Sequence, residues 1–136
     1  MMKAYFQPDA RQDEERPCIR QAKERPMRAE RIGVGIIGCG TISDTYLSNL
    51  TKHVSNVKVV ACADLVSERA EQQKEKYGLA QACSVEEILH HEHIQILVNL
   101  TIPAAHHDVN MQILRAGKHV YCEKPLALRL EDALEE

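Results

Sequence analysis

The sequence has no apolar run that approaches the roughly 20 residues of a membrane-spanning helix. Its first residues also lack the apolar core of a secretory signal. The acidic residues there, from Asp9 to Glu15, are unlike an organelle transit peptide, which is poor in acids. These absences predict a protein of the cytoplasm with no membrane partner.

Paired cysteine motifs and long basic runs are also missing. The five cysteines form no CxxC pair, and an odd number leaves no complete disulfide framework, so we expect free thiols in a reducing compartment. The net charge is −3, and no long Lys/Arg run lies in the part expected to fold. A nucleic-acid partner is therefore not expected. The predicted partner is a small molecule.

The 136 residues, of which 44% are hydrophobic, correspond to about one domain with a core of its own. Residues 1–30 are dense in Arg, Glu, Gln and Asp, contain Pro8, Pro17 and Pro26, and show no sustained apolar period. We interpret this stretch as a flexible charged leader. Residues 31–136 are predicted to be the folded, dinucleotide-binding unit.

From Ile32 onward, short apolar runs alternate with amphipathic stretches, the pattern of βαβ units on a parallel sheet. This predicts an α/β fold, a doubly wound parallel sheet of the Rossmann type, ending after the fifth strand and the start of the next helix. The predicted strands are Ile32–Ile37, Val57–Ala63, Ala80–Cys83, Ile94–Leu100 and His119–Cys122. The predicted helices are 43–50, 67–77, a short helix through Leu89, 104–116 and a last one that begins near Arg129.

Local signals suggest which helix faces pack on the sheet and where helices begin and end. Gly78 suits a left-handed helix end, and Ser84 with Glu87 forms a capping-box pattern. The residues expected to face inward are Ile42, Tyr46, Leu47 and Leu50 in the first helix and Val109, Ile113 and Leu114 in the fourth.

The segment GCGTIS, residues 38–43, follows the first strand and opens the first helix. Gly38 allows a tight turn, Gly40 lets the backbone approach a pyrophosphate, and small Ser43 permits close helix–strand packing. The helix N-terminus, at Thr41 and Ile42, offers N–H groups and a positive dipole end to phosphates. A literal GxGxxG at residues 33–38 lies inside the strand and is rejected. A glycine-containing turn without a ligand is the alternative.

Polar side chains follow four of the predicted strands. Asp64 ends the second strand, twenty-one residues after Ser43, where an acid can accept hydrogen bonds from the adenosine ribose. An ordinary cap of the following helix is the alternative. Thr101 ends the fourth strand, and Glu123 and Lys124 end the fifth. Because ligands of such sheets bind beyond the carboxyl ends of the strands, these residues are predicted to share one rim.

The segments GIIGCGTIS and LTIPAAHHDVNMQILRAGKHVYCEKPLAL, together with Asp64, resemble the N-terminal domain of the glucose-fructose oxidoreductase, inositol dehydrogenase and rhizopine catabolism family, Gfo/Idh/MocA. The resemblance covers residue 32 to the C-terminus. It implies a bound NAD or NADP, with Glu123-Lys124-Pro125 under the nicotinamide, Lys124 as the catalytic residue that assists proton transfer, and a cis Lys124-Pro125 peptide. His106 matches the family's histidine eleven residues before Gly117.

The resemblance implies an NAD(P)-dependent oxidoreductase of sugars, cyclitols or related polyols, present as its nucleotide-binding half only. Substrate enclosure and homo-oligomerisation would then need the family's C-terminal domain. Many members have Thr-Pro-Asn where this chain has Thr101-Ile102-Pro103, so an asparagine contact does not carry over. NAD is expected rather than NADP, because Asp64 would repel a 2′-phosphate, although Arg69 lies five residues on.

Two other functions and a metal site are alternatives to this interpretation. One is a non-catalytic dinucleotide-binding regulator or sensor, and the other is a nucleotide module of different chemistry, such as methyl transfer from S-adenosylmethionine. The His90-His91-Glu92-His93 cluster invites a metal site. Adjacent residues at a helix end cannot all face one ion, so no metal is expected.

Overall fold

The computed structural model describes residues 30–135, so the predicted leader lies outside the described residues apart from residue 30. Within that range five strands alternate with helices. The strands are β1 (Ile32–Ile37), β2 (Val57–Ala63), β3 (Gln81–Cys83), β4 (Ile96–Asn99) and β5 (His119–Cys122). The helices are α1 (Thr41–Lys52), α2 (Ser67–Tyr77), α3 (Val85–Leu89), α4 (His106–Arg115), preceded by a 3-10 turn at Pro103–Ala105, and α5 (Leu130–Glu135).

The strands form one parallel sheet in the order β3-β2-β1-β4-β5. After β3, at one edge, the chain returns to the middle and places β4 beside β1. This reversal creates the switch point at which dinucleotides bind in doubly wound sheets. The predicted α/β Rossmann fold is confirmed.

Apolar clusters cover both faces of the sheet. On one face Val34, Ile36 and Val98 pack with Leu47 of α1. On the other, Ile37, Ala61 and Leu97 pack with Ile88 of α3 and Ile113 of α4. Because successive strand residues point to opposite faces, strands buried on both sides need almost continuous apolar runs. This requirement explains why β1 and β2 have the predicted bounds, whereas β5, an edge strand whose residues are exposed or half-buried, also has its predicted bounds without such burial.

Two predicted helix faces are partly wrong. Ile42 is 44% exposed and Leu114 is 39% exposed. In α1 the fully buried pair is Ser43 and Leu47, one turn apart, and Ile42, one position before Ser43, is rotated about 100° away from that buried face. In α4 the inward face consists of His106, Asn110 and Ile113, so Leu114 falls outside it. A prediction from the spacing of apolar residues cannot detect this buried face, because two of its three residues are polar.

The helix-end signals predicted at Gly78 and at Ser84 with Glu87 are confirmed, whereas α1 (Thr41–Lys52) is longer than the predicted 43–50 and α4 (His106–Arg115) is shorter than the predicted 104–116. Gly78 closes α2 in a left-handed conformation, with φ of 65°. At α3 the Ser84 Oγ accepts from the Glu87 backbone N–H, and Glu87 Oε2 accepts from the Ser84 backbone N–H at 2.8 Å. No helix within residues 30–135 has the length and apolar character needed to cross a membrane.

Candidate dinucleotide site

The turn after β1 depends on Gly38. Its φ is +99°, and an added Cβ would lie 2.6 Å from the carbonyl group of Leu100. Both the conformation and the space therefore require glycine. Gly33 and Gly35, by contrast, lie within β1, where a Cβ would clash with the His93 carbonyl oxygen and the Leu97 side chain. They lie in the strand and serve packing, in keeping with the rejection of the literal GxGxxG as the phosphate turn.

Gly40 has a different reason to be glycine. It is the N-cap of α1 with an ordinary φ of −78°, and no protein atom lies within 4 Å of where its Cβ would be. The protein itself therefore places no demand on this position, and the open space leaves room for a ligand to approach the backbone. Thr41 and Ile42, both exposed, begin the helix beside it. First-turn N–H groups lack intrahelical carbonyl partners four residues back and favour anions.

Ser43 lies at the point where α1 crosses the sheet. It is fully buried, and its Oγ donates to the Gly40 carbonyl at 2.6 Å. The small side chain satisfies its own hydroxyl locally and lets the helix approach β1 closely, as predicted from its place in the motif.

Asp64 links the ends of β1 and β2. Its Oδ2 accepts from the backbone N–H of Cys39 at 2.7 Å, and its Oδ1 accepts from the backbone N–H of Val66 at 2.8 Å. The second bond closes a turn two residues long just before α2, whose N-cap is Val66, so Asp64 is not the helix cap of the alternative interpretation. A carboxylate has about four lone-pair positions, so two remain for ribose hydroxyls.

A cavity of about 570 Å³ opens between these strand ends. Four of the predicted site residues line it: Gly38, Gly40, Asp64 and Thr101. Its walls are largely apolar, from Leu65, Val66, Val85, Ile102 and Val109, with Arg69 at the rim. Thr41, Ile42, His106, Glu123 and Lys124 lie outside this lining. The cavity thus brings the β1, β2 and β4 ends together at the switch point.

Asn99 organises the turn after β4. Fully buried, it donates through Nδ2 to the Asn110 Oδ1 at 2.8 Å and to the His106 carbonyl at 3.1 Å. The Asn99 Oδ1 accepts from the backbone N–H of Thr101 at 3.1 Å and from the Thr101 hydroxyl at 2.6 Å. All the polar atoms of the amide are thereby used, and the Thr101 hydroxyl is turned toward Asn99.

His106 joins the turn after β4 to the turn after β5. The ring is 1% exposed, with Nδ1 2.6 Å from the Pro125 carbonyl oxygen and Nε2 3.0 Å from the Thr101 carbonyl oxygen. The position of the ring between two backbone segments gives it a supporting place in the site. The Lys124-Pro125 peptide is cis, which confirms that prediction.

Glu123 and Lys124 follow β5 at the same carboxyl edge. Glu123 Oε1 accepts from the Tyr46 hydroxyl at 2.5 Å, and Oε2 accepts from the Lys124 backbone N–H at 3.0 Å. The hydrogen bond from Tyr46 is the main reason that the pKa of Glu123 is lowered, with the Lys124 N–H adding to it. The Lys124 side chain is exposed.

Sequence reasoning missed Tyr46 and Asn99 as parts of this site. Tyr46 was interpreted only as an inward-facing helix residue, and Asn99 only as part of an apolar strand. An asparagine in the sequence ILVNL was a usable signal, because a buried amide in a strand needs hydrogen-bond partners. Nothing local distinguishes Tyr46 from a core residue, since its partner is 77 positions away.

Residues 32–135 match the Gfo/Idh/MocA family, described as an oxidoreductase family with an NAD-binding Rossmann fold. The chain belongs to the Gfo/Idh/MocA family. The predicted resemblance and the expectation of a nicotinamide dinucleotide as cofactor are thereby confirmed.

Individual relatives in the Gfo/Idh/MocA family include cyclitol dehydrogenases. The inositol 2-dehydrogenase/D-chiro-inositol 3-dehydrogenase of Lactiplantibacillus plantarum is 34% identical over 104 residues, covering 75% of this chain and 30% of the relative. The myo-inositol dehydrogenase of Lactobacillus casei, solved with NAD(H) and myo-inositol, superposes with a TM-score of 0.74 at 27% identity, over 78% of this chain and 32% of that one.

Another similar structure contains NADP. A 3-ketoreductase from Actinomadura kijaniata, in complex with TDP-benzene and NADP, gives a TM-score of 0.73 at 27% identity, covering 78% of this chain and 34% of that one. The chain therefore spans about a third of the length of these proteins. Among residues 30–135 no three His, Cys, Asp or Glu side chains form a metal-ligand group.

Proposed function

We propose that residues 31–136 form the NAD-binding unit of an oxidoreductase that acts on a cyclitol or a related polyol or sugar. The observation that carries the proposal is the convergence of Gly38, Gly40, Asp64 and Thr101 on one cavity at the switch point of the sheet. Inositol dehydrogenases among the relatives support the substrate class.

The residues of the cavity suit a dinucleotide. Gly40 leaves open space beside its backbone at the start of α1, where a pyrophosphate would meet the first N–H groups and the positive end of the helix dipole. Asp64 keeps lone pairs for the adenosine ribose hydroxyls. Apolar side chains such as Val66 and Ile102 would border the adenine.

When bound, the nicotinamide supplies the acceptor and donor of a hydride. The proposed role of this chain is to hold the reactants in place and to accept and donate a proton. We assign Lys124 Nζ to hold and transfer the proton of the substrate hydroxyl, because the family resemblance puts Glu123-Lys124-Pro125 under the nicotinamide and the exposed amine is accessible to a ligand there. His106 would support the Lys124-Pro125 turn from below through the Pro125 carbonyl.

We propose a preference for NAD over NADP. Asp64 would place a negative charge against the 2′-phosphate of NADP. Arg69, which also lines the cavity, could offset part of that repulsion. Calorimetric titration with both cofactors measures the preference. NADP binding as tight as that of NAD would contradict the proposed contact between Asp64 and the ribose.

Binding is tested by calorimetric titration of this chain with NAD, ADP-ribose and S-adenosylmethionine. We expect weak binding of NAD and ADP-ribose and none of S-adenosylmethionine. Turnover is tested with a panel of cyclitols, polyols and sugars, followed at the NADH absorbance. For the isolated chain we expect none, because donor and acceptor must be held within roughly 3 to 3.5 Å to react. Turnover by this chain that Lys124→Ala abolishes would show a complete site within these residues.

Assays of the longest natural protein that contains this sequence distinguish the regulator from the enzyme. Turnover of a cyclitol by that protein, lost in Lys124→Ala with NAD binding retained, supports the enzyme. Tight NAD binding with no turnover on the whole panel supports the regulator. Binding of S-adenosylmethionine in place of NAD would contradict both.

A further inference from the structure

Tyr46 connects helix α1 to the turn that carries Lys124. Its hydroxyl donates to Glu123 Oε1 at 2.5 Å, across 77 residues of sequence. The half-buried ring packs edge-on against Tyr121, with 6.1 Å between ring centroids. The aromatic contact restrains the ring, so the hydroxyl is held at the carboxylate.

Glu123 passes this restraint on to Lys124. Its second carboxylate oxygen accepts from the Lys124 backbone N–H at 3.0 Å, and its own backbone N–H donates to the Asn99 carbonyl at 3.1 Å. The carboxylate therefore bridges a side chain of α1 and the backbone of the turn after β5. Without the Tyr46 hydroxyl, Glu123 Oε1 would lose its hydrogen-bond donor on α1.

The electrostatics of the pair favour one arrangement. Burial raises the pKa of the Tyr46 phenol, and the neighbouring carboxylate raises it further. The same hydrogen bond lowers the pKa of Glu123. Both changes keep the phenol as a neutral donor and the carboxylate as an ionised acceptor at neutral pH, the combination that makes a charge-assisted hydrogen bond.

Tyr46 lies on the helix whose first turn follows Gly40, less than two turns further along. A rigid helix thus carries both the proposed pyrophosphate contact and a contact to the Lys124 turn. We propose that Tyr46 is a positioning residue that acts through Glu123 to place Lys124 relative to the nicotinamide end of the dinucleotide. This inference rests on the proposed cofactor role.

The test compares wild type with Tyr46→Phe, which keeps the ring and removes only the hydroxyl. The matched control is Tyr77→Phe, which also removes a hydroxyl held against α1, but one that donates to Asp44 at 3.0 Å rather than to Glu123. The backbone amide resonance of Lys124 is followed by NMR, because this amide donates to Glu123. It is recorded through a pH titration and on addition of NAD or ADP-ribose.

In wild type and Tyr77→Phe we expect the Lys124 amide to titrate with a midpoint below the ordinary range of Glu. NAD is expected to shift this resonance more than ADP-ribose, which lacks the nicotinamide. In Tyr46→Phe the midpoint should move up toward the ordinary range and the NAD-specific shift should be lost, with ADP-ribose affinity unchanged. A purely structural role would weaken both ligands equally.

An unchanged NAD-specific shift in Tyr46→Phe overturns the inference, as does a wild-type chain that binds NAD without any such shift. If wild type binds neither NAD nor ADP-ribose, the proposed function fails instead. Should Tyr46→Phe not fold, Glu123→Gln removes the charged acceptor. It is expected to lose the NAD-specific shift too, and retention of that shift would again contradict the role of the pair.

Discussion

The carboxylate of Asp64 accepts the backbone N–H of Cys39 at 2.7 Å, so the acid at the end of β2 holds the turn at the end of β1. Cys39 lies between the two glycines of the proposed phosphate turn. The residue proposed to bind the ribose therefore also shapes the place where the pyrophosphate would bind. The two proposed contacts, to ribose and to phosphate, would then be coupled through one side chain.

Asp64→Asn is expected to lower NAD affinity about 10- to 100-fold, because hydrogen bonds to a charged group contribute roughly 1.5 to 3 kcal/mol. The amide oxygen can accept from Cys39 or from Val66 but not from both, because the NH2 group cannot accept, so the unfolding free energy should also fall by about 1 to 3 kcal/mol. Discrimination against NADP should shrink, since the repelling charge is gone. Calorimetry with both cofactors measures this, and Asp108→Asn, an exposed acid of α4, is the control. Unaltered NAD affinity would argue against the ribose contact.

Gly38→Ala is expected to cost about 2 to 6 kcal/mol of unfolding free energy, from backbone strain plus overpacking against the Leu100 carbonyl. Gly78→Ala is the matched comparison. Its φ is 65°, but no atom lies within 4 Å of the new Cβ, so it should cost only about 1 to 2 kcal/mol. Urea unfolding of both variants gives the difference. Equal losses would mean that the turn relaxes away from Leu100.

Gly40→Ala is expected to separate binding from folding. Its φ of −78° suits any residue and its Cβ would meet no protein atom, so the unfolding free energy should stay within about 0.5 kcal/mol of wild type. NAD affinity should fall about tenfold or more, because the methyl group would occupy the space proposed for the pyrophosphate. Urea unfolding and calorimetry on the same sample check both halves. Wild-type affinity would place the phosphates elsewhere.

Glu87→Gln tests the pH dependence of the capping box at α3. The pKa of Glu87 is lowered by the Ser84 backbone N–H and then by the Ser84 hydroxyl. A lowered pKa adds stability above the ordinary value of 4.5 that is lost as pH falls through the folded value. The variant should therefore be less stable than wild type at neutral pH and approach it in acid. Urea unfolding across this range measures the gap, and a gap independent of pH would exclude the charge as its cause.

The sequence alone determined those features of the fold that depend on residues close together along the chain. The apolar runs of β1 and β2 have sharp polar or glycine boundaries, because the buried part of a strand covered on both faces leaves little room for polar residues. Gly78 and the Ser84–Glu87 pair specify their helix ends through contacts within a few residues. The GCG turn and the AGKHVYCEKPLAL segment likewise identify the family without reference to distant contacts.

Tertiary structure alone decided which residues meet. The hydrogen bond from Tyr46 to Glu123 spans 77 positions, that from Cys39 to Asp64 spans 25, and the contact of His106 with Pro125 spans 19. No local periodicity encodes such pairs, because they depend on strand order and on the rotation of each helix against the sheet. The same rotation buries His106 and Asn110 and exposes Leu114. Hydrogen bonding to neighbouring elements, which a hydropathy pattern does not contain, makes the polar face of α4 an inner one.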